Sequence, residues 1–169
     1  MTPHVAGFAE LTPSLLYALL RLRIDVFVVE QRCPYPDLDG RDLEPGTRHI
    51  WLADGAVPVA YLRMLKEPDA NVRIGRVCVA RVARGRGLAR ALLAHALDLA
   101  GPRTCVLAAQ AHLAGFYASL GFQPTGPEFD DDGIPHVPMR RAHGSAATIS
   151  PAGYGNAASS SVIDLRRPV

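Results

Sequence analysis

Six consecutive residues, Arg84-Gly85-Arg86-Gly87-Leu88-Ala89, combine what a phosphate site needs. A short apolar run that includes Val77, Cys78 and Val79 stops at this glycine-rich basic turn. The turn opens directly into a stretch with helical spacing, from Arg90 to Ala100. The first amides of a helix have no carbonyl partner, and the aligned peptide dipoles favour an anion there. Gly85 and Gly87 let the backbone approach such a group with no Cβ in the way. The same residues also read as a solvated basic turn capping a core helix, and on their own they do not separate the two.

Other residues carry different chemistry. Asp37, Asp39, Asp42 and Glu44 crowd into eight positions against one arginine, Arg41. They read either as a solvated surface loop or as a wall that draws in a cationic amine. Their spacing does not match a calcium loop, and no metal is expected. Glu30, Asp37, Asp39, His49, His112 and His136 are the groups that could accept a proton from an amine near neutral pH, although a lone histidine is more often structural. His136 lies in the stretch Asp132-Gly-Ile-Pro-His136, and His49 leads into a strand. Cys78 has no sequence neighbour to activate it and reads as packing rather than as a nucleophile.

The elements that must hold these groups follow from periodicity. Val5 to Glu10 is expected as a first strand. Thr12-Pro13 is a helix start, and Leu15, Leu16, Leu19, Leu20 and Leu22 continue at helical spacing into the high twenties. There the strand-forming Val26-Phe-Val-Val29 competes with the helix. Cys33-Pro-Tyr-Pro36 ends any helix. Arg48 to Ala53 and Val57 to Leu65 read as a hairpin around Asp54-Gly55, and Val72 to Val79 as the strand that delivers the chain to the basic turn. The helix beyond the turn is apolar around most of its circumference, so burial on most sides is expected. Thr104 to Ala109 is a buried strand, Ala111 to Leu120 a helix closed by Gly121, and two short strands follow near Phe129 and His136 to Arg140. This order describes an α/β fold, a mixed sheet with a parallel pair at its centre.

At 169 residues, 49% hydrophobic and 20% charged, the chain fits one soluble domain over 1–141. The Ala/Ser/Gly-rich residues 142–169 read as a flexible tail. A net charge of +2 gives no case for nucleic acid or an acidic membrane, and no apolar run reaches the roughly 20 residues that span a bilayer. Three scattered cysteines and no signal peptide suggest a reducing cytoplasm.

About thirty residues past the basic turn stands a second pattern, Phe116-Tyr117-Ala-Ser-Leu-Gly121-Phe122. The pair of patterns resembles the GNAT superfamily of N-acetyltransferases. Val28-Val-Glu-Gln31, Cys33-Pro-Tyr35, Asp37, Asp39, Ile74-Gly-Arg-Val77, Ala109-Gln-Ala-His112 and Asp132-Gly-Ile-Pro-His136-Val-Pro-Met139 narrow the resemblance to its ElaA-type bacterial subgroup, over roughly residues 6 to 141.

The resemblance implies a GNAT fold: a mixed sheet of about six to seven strands with a splayed parallel pair, flanked by helices. It implies acetyl-CoA as co-substrate and a primary amine as acceptor, by direct sequential transfer. The pantetheine arm is expected along the backbone of Val77, Cys78 and Val79, and the pyrophosphate at Arg84, Gly85, Arg86, Gly87, Leu88 and Ala89. Gln110 is expected near the cofactor, and Tyr117 as the general acid. A glutamate base used by some relatives has no counterpart at Asn71-Val-Arg73, which leaves His136, Glu30 and His49 as base candidates. Asp37 and Asp39 are expected to face the acceptor, and the chain to act as a monomer or homodimer. The rival reading is a non-catalytic acyl-CoA-binding sensor or interaction module.

Overall fold

The structure, a computed structural model, describes residues 1–142. The expected tail, 142–169, falls outside the described residues except for Ala142. The first strand is shorter than expected. β1 is His4–Ala6, and the chain then makes a 3-10 turn at Phe8–Glu10, where the Glu10 carboxylate accepts from the Gly7 amide at 2.6 Å. Helix α1, Pro13–Ile24, starts where Thr12 accepts from the Leu15 amide at 3.2 Å and proline occupies the first turn. It runs on without a break into a π-helical turn, Asp25–Glu30. Burial of Val26 against Leu19, Leu22 and Tyr61 overrides the strand preference of the valines.

The hairpin forms as expected from β2, Arg48–Asp54, and β3, Val57–Lys66, with Asp54 opposite Val57. After β4, Val72–Val79, come α2, Leu88–Ala100, and β5, Cys105–Gln110. A 3-10 turn at Ala111–Leu113 leads into α3, Ala114–Ala118. The chain closes with β6, Gln123–Pro124, β7, Phe129–Asp131, and β8, Ile134–Arg141. The sheet has eight strands in the order β1-β2-β3-β4-β5-β8-β6, with β7 paired to β8. Among the described residues only β4 and β5 run parallel, so the sheet is the mixed α/β arrangement expected.

Two apolar clusters cover the sheet, one per face. Leu92, Leu93 and Ala96 of α2 pack with Ile50, Leu52, Leu62, Leu107 and Phe122. Leu19, Leu22 and Val26 pack with Trp51, Tyr61 and Cys78. Helix α2 is less enclosed than its composition suggested, because Ala91, Asp98 and Leu99 face solvent. It has one neighbouring layer, so only one stripe of it can be covered.

One irregularity shapes the whole site. The parallel pairing of β4 with β5 covers only Val72 with Cys105 and Arg73 with Val106. Between Tyr61 and Arg63 on β3, the partner strand runs from Cys78 to Gly75 and holds one residue more. Arg76, in this bulge, has φ 54°, a left-handed conformation that costs a residue with a Cβ about 1–2 kcal/mol. β4 parts from β5 after Arg73, and the bulge, which bends its strand, lies on the diverging stretch, so a wedge opens in the sheet.

Candidate active site

The wedge exposes a backbone edge. Cys78 pairs with Tyr61, and the Ala80 amide donates to the Val59 carbonyl at 2.8 Å, so both turn toward β3. Alternate residues of a strand point their amides and carbonyls to opposite sides. Those of Val77 and Val79 therefore face the gap, where β5 no longer pairs with them. The Cys78 side chain lies on the far face among Leu19, Leu22 and Tyr61, and burial pushes its thiol up to about 12. A thiol so placed stays protonated and cannot act as a nucleophile.

At the end of this edge lies the basic turn. Gly85 and Gly87 have φ 76° and 72°, and no atom lies within 4 Å of where a Cβ would stand on either. The turn thus needs glycine for its conformation and holds open space in front of it. The first helical bond of α2 runs from the Ala91 amide to the Gly87 carbonyl at 3.0 Å, so the amides of Leu88, Ala89 and Arg90 precede it and have no helical acceptor. A cavity of about 270 Å³ connects Val77, Cys78 and Val79 with Gly85, Gly87, Leu88, Ala89, Phe116 and Tyr117. Its shape suits an elongated ligand with an anionic group at the helix end.

Of the three basic side chains on the turn, Arg84 is committed elsewhere. Its Nη1 and Nη2 donate to the two oxygens of Glu30 at 2.6 and 2.9 Å, and its Nε to the Val79 carbonyl at 3.2 Å. Arg86 is half exposed and 3.7 Å from Asp54, and Arg90 lies over the Phe116 ring and donates to Ser119. Glu30, expected among the bases, is instead one half of this bidentate pair.

A second cavity, of about 280 Å³, lies across the wedge. Phe27 and Gln31, Cys33 and Tyr35, Arg76, Gln110, Asp131, Asp132 and His136 are among its lining residues. Gln110, where β5 ends, exchanges an amide hydrogen bond with Gln31 at 3.2 Å, joining the two walls. The two cavities meet at Val77, Leu113 and Tyr117, which line both. Tyr117 is 7% exposed and wedged edge-on between Phe116 and Phe122. Its hydroxyl has no hydrogen-bond partner among the described residues, and burial pushes its pKa up.

The histidines separate clearly. His136, on β8 opposite Gln110, lines the second cavity and has its Nδ1 2.8 Å from the Ile134 carbonyl. That contact requires the proton on Nδ1 and leaves the Nε2 lone pair free in the neutral ring. His49 is 1% exposed and sits between the Tyr61 hydroxyl at 2.8 Å and the Asp42 carbonyl at 3.3 Å, on the other side of β3 from the cleft wall. Burial lowers its pKa and favours the neutral ring of a structural residue. His112 is not among the cavity residues.

The acidic loop is not a bare wall. Asp37 and Asp42 hold the fully buried Arg23 of α1 at 2.9 and 2.8 Å. Arg63 takes both oxygens of Asp39 at 2.7 and 2.6 Å, and Arg76 reaches Asp37 at 2.9 Å. Burial alone raises a carboxylate, but the Arg63 bonds outweigh it and hold Asp39 down at about 2. Three guanidinium groups thus neutralise three carboxylates. Arg23, Arg63 and Gln31 were not singled out from the sequence. A lone arginine within Val59-Ala-Tyr-Leu-Arg63-Met-Leu65 was the available signal for one of them, since a charge in a buried strand demands a partner.

By contrast, Asp131 and Asp132, at the turn from β7 to β8, form no ion pair among the described residues. Among the described residues no cluster of three His, Cys, Asp or Glu could hold a metal ion, and no helix is long and apolar enough to cross a membrane.

Comparison with known proteins accounts for this arrangement. A family model for an acetyltransferase (GNAT) domain matches residues 25–142. A UPF0039 protein of Mycobacterium tuberculosis is 52% identical over 137 residues, covering 78% of this chain and 87% of that protein. ElaA of Escherichia coli is 46% identical over 141 residues, covering 79% of this chain and 91% of ElaA, and its crystal structure superimposes with a TM-score of 0.78. The crystal structure of an acyl-CoA N-acyltransferase from Pseudomonas aeruginosa superimposes with a TM-score of 0.80 at 40% identity, covering 84% of this chain and all of that one. A wedge between β4 and β5, a glycine turn at a helix start and a tyrosine at the junction of two cavities accompany these matches, and the chain belongs to the GNAT acetyltransferase family, in its ElaA-type subgroup.

Proposed function

We propose that this protein transfers the acetyl group of acetyl-CoA directly to a primary amine within one ternary complex. The observation that carries the reading is the meeting of two cavities at Val77 and Tyr117. The donor occupies the cavity along Val77, Cys78 and Val79, with its pyrophosphate on the amides from Gly85 to Ala89 and with Arg86 and Arg90 nearby. The acceptor occupies the other cavity. Holding both reactants at one junction supplies most of what direct attack requires.

An amine must lose a proton before it attacks a thioester. The free Nε2 of His136 takes it, directly or through water, and the Nδ1 contact with Ile134 keeps the ring in the accepting tautomer. As the carbonyl oxygen gains charge, the cleft-facing Val79 amide donates to it. Tyr117, kept protonated by burial, donates to the sulfur as the thiolate leaves. Gln110, through Gln31, holds the walls at their spacing. The acceptor is cationic. The carboxylates of Asp131 and Asp132, which have no ion-pair partner among the described residues, supply the attracting field, while Asp37 and Asp39, neutralised by arginine, shape the wall. No disulfide joins the three described cysteines, which suits a reducing cytoplasm, where this activity would operate.

Calorimetric titration with acetyl-CoA, followed by thiol release across an amine panel, tests the proposal. Binding with amine-dependent CoA release is expected. Absence of binding overturns the donor assignment, and binding without release to any amine favours a sensor.

A further inference from the structure

The Glu30–Arg84 pair joins segments 54 residues apart. Glu30 ends the π-helical turn whose residue Phe27 lines the acceptor cavity. Arg84 opens the basic turn. Both side chains are largely enclosed, 23% and 14% exposed, and the guanidinium spends its Nε and both Nη groups on two partners, the Glu30 carboxylate and the Val79 carbonyl. A carboxylate beside a pyrophosphate site is unfavourable unless it is already neutralised. Arg84 lines the donor cavity, but its guanidinium is already spent on Glu30 and the Val79 carbonyl.

We infer that Glu30 is a positioning residue of the donor site: it fixes Arg84, and through Arg84 it presets both the turn that receives the anion and the last carbonyl of the β4 edge. This rests on the acyl-CoA reading above and assigns Glu30 a role other than base. With the Val79 carbonyl occupied by Arg84, the edge offers an extended ligand the Val79 amide and both backbone groups of Val77. The anion is then received by amides rather than by the Arg84 charge.

The sign of one substitution separates this from simple electrostatics. Were Arg84 a phosphate ligand restrained by Glu30, removing the Glu30 charge would release it and tighten CoA binding. If the pair presets the turn, Glu30→Gln weakens binding. The test is calorimetry with CoA and steady-state kinetics on the full chain, with thermal melts as a fold control. Glu30→Gln and Arg84→Gln are each expected to raise the CoA Kd about tenfold, and the double variant no further than the worse single one. At saturating donor, kcat is expected to fall no more than about twofold, with the pH profile unchanged in shape. Glu30→Asp keeps the charge but shortens the reach, and should fall between wild type and Glu30→Gln; it also serves if Glu30→Gln does not fold.

Tighter or unchanged CoA binding in Glu30→Gln, additive losses in the double variant, or a collapse of kcat with a lost pH limb and intact CoA affinity would each overturn the inference. Failure of the wild type to bind CoA overturns the acyl-CoA reading itself, and this one with it.

Discussion

The Nδ1 of His136 lies 2.8 Å from the carbonyl oxygen of Ile134, two residues back on the same strand. The bond fixes the ring's tautomer and turns the histidine into an acceptor at Nε2 on the wall of the acceptor cavity. His136→Gln is expected to lower kcat about 100-fold and to flatten the acid limb of the kcat profile, with CoA affinity unchanged. A limb that persists in the variant would assign the proton to another group.

Tyr117 sits where the two cavities join, with a hydroxyl that no described residue satisfies. Burial raises its pKa, so it enters the reaction with its proton. Tyr117→Phe keeps the ring against Phe116 and Phe122 and removes only the donor. A loss of about 100-fold in kcat at constant CoA Kd is expected. Turnover near the wild-type rate would mean that the thiolate leaves without help from this residue.

Gly87 caps α2 at φ 72° with open space beside it. Gly87→Ala is expected to cost about 1–2 kcal/mol of stability from backbone strain. It also places a methyl group in the space proposed for the phosphate. CoA at about 100 times its Kd should stabilise the wild type by about 2.7 kcal/mol, and a thermal melt of the variant should show little of that gain. A full ligand-induced shift in Gly87→Ala would contradict the assignment of the turn.

The turn was legible because it depends on local chemistry. Glycines at Gly85 and Gly87, an apolar strand before them and a helical pattern after them left a phosphate site or a basic helix cap, and the second pattern around Tyr117 favoured the first. The parallel pair followed from element order, and the splay that isolates Val77 and Val79 was implied by the family resemblance. The acidic loop was not legible in the same way. Asp37, Asp39 and Asp42 looked like a wall that steers a cation, because their partners Arg23, Arg63 and Arg76 come from three other elements. Partners distant in sequence decide whether a carboxylate is a field or a strut. The same holds for Glu30, whose partner lies 54 positions away, and for His49, which only the fold places behind β3. The helix Pro13 to Glu30 shows the complementary case, where burial of Val26 overrode a local strand preference.

The Asp39 carboxylate links pH to stability. Its folded pKa of about 2 lies below the ordinary carboxylate value of 3.8. A depressed folded pKa contributes stability that is complete above the unfolded value and disappears as the pH falls through the folded one. The melting temperature is therefore expected to fall as pH drops from above 3.8 to about 2, and Asp39→Asn should reduce that part of the slope. Asp37→Asn removes one of two carboxylates from the fully buried Arg23 and is expected to cost about 3–5 kcal/mol in urea unfolding.

If Asp37 and Asp39 are struts, the attraction of a cationic acceptor falls to Asp131 and Asp132. These are exposed at the β7–β8 turn on the rim of the acceptor cavity and carry no counter-charge from the described residues. The neighbouring Asp130 caps the Gly133 amide at 2.8 Å, so the turn itself does not depend on the other two charges. Asp131→Asn with Asp132→Asn should raise KM for a diamine about threefold to tenfold at low salt, and the effect should shrink as ionic strength shortens the screening length to about 8 Å at 0.15 M. kcat should stay near the wild-type value, because neither residue is among Val77, Leu113 and Tyr117, which line both cavities. A monoamine of the same length should respond less, since it loses its charge on entering the reaction. Equal KM values for wild type and variant with every amine would remove the field argument and leave acceptor choice to the apolar wall of Phe27, Leu107 and Leu113.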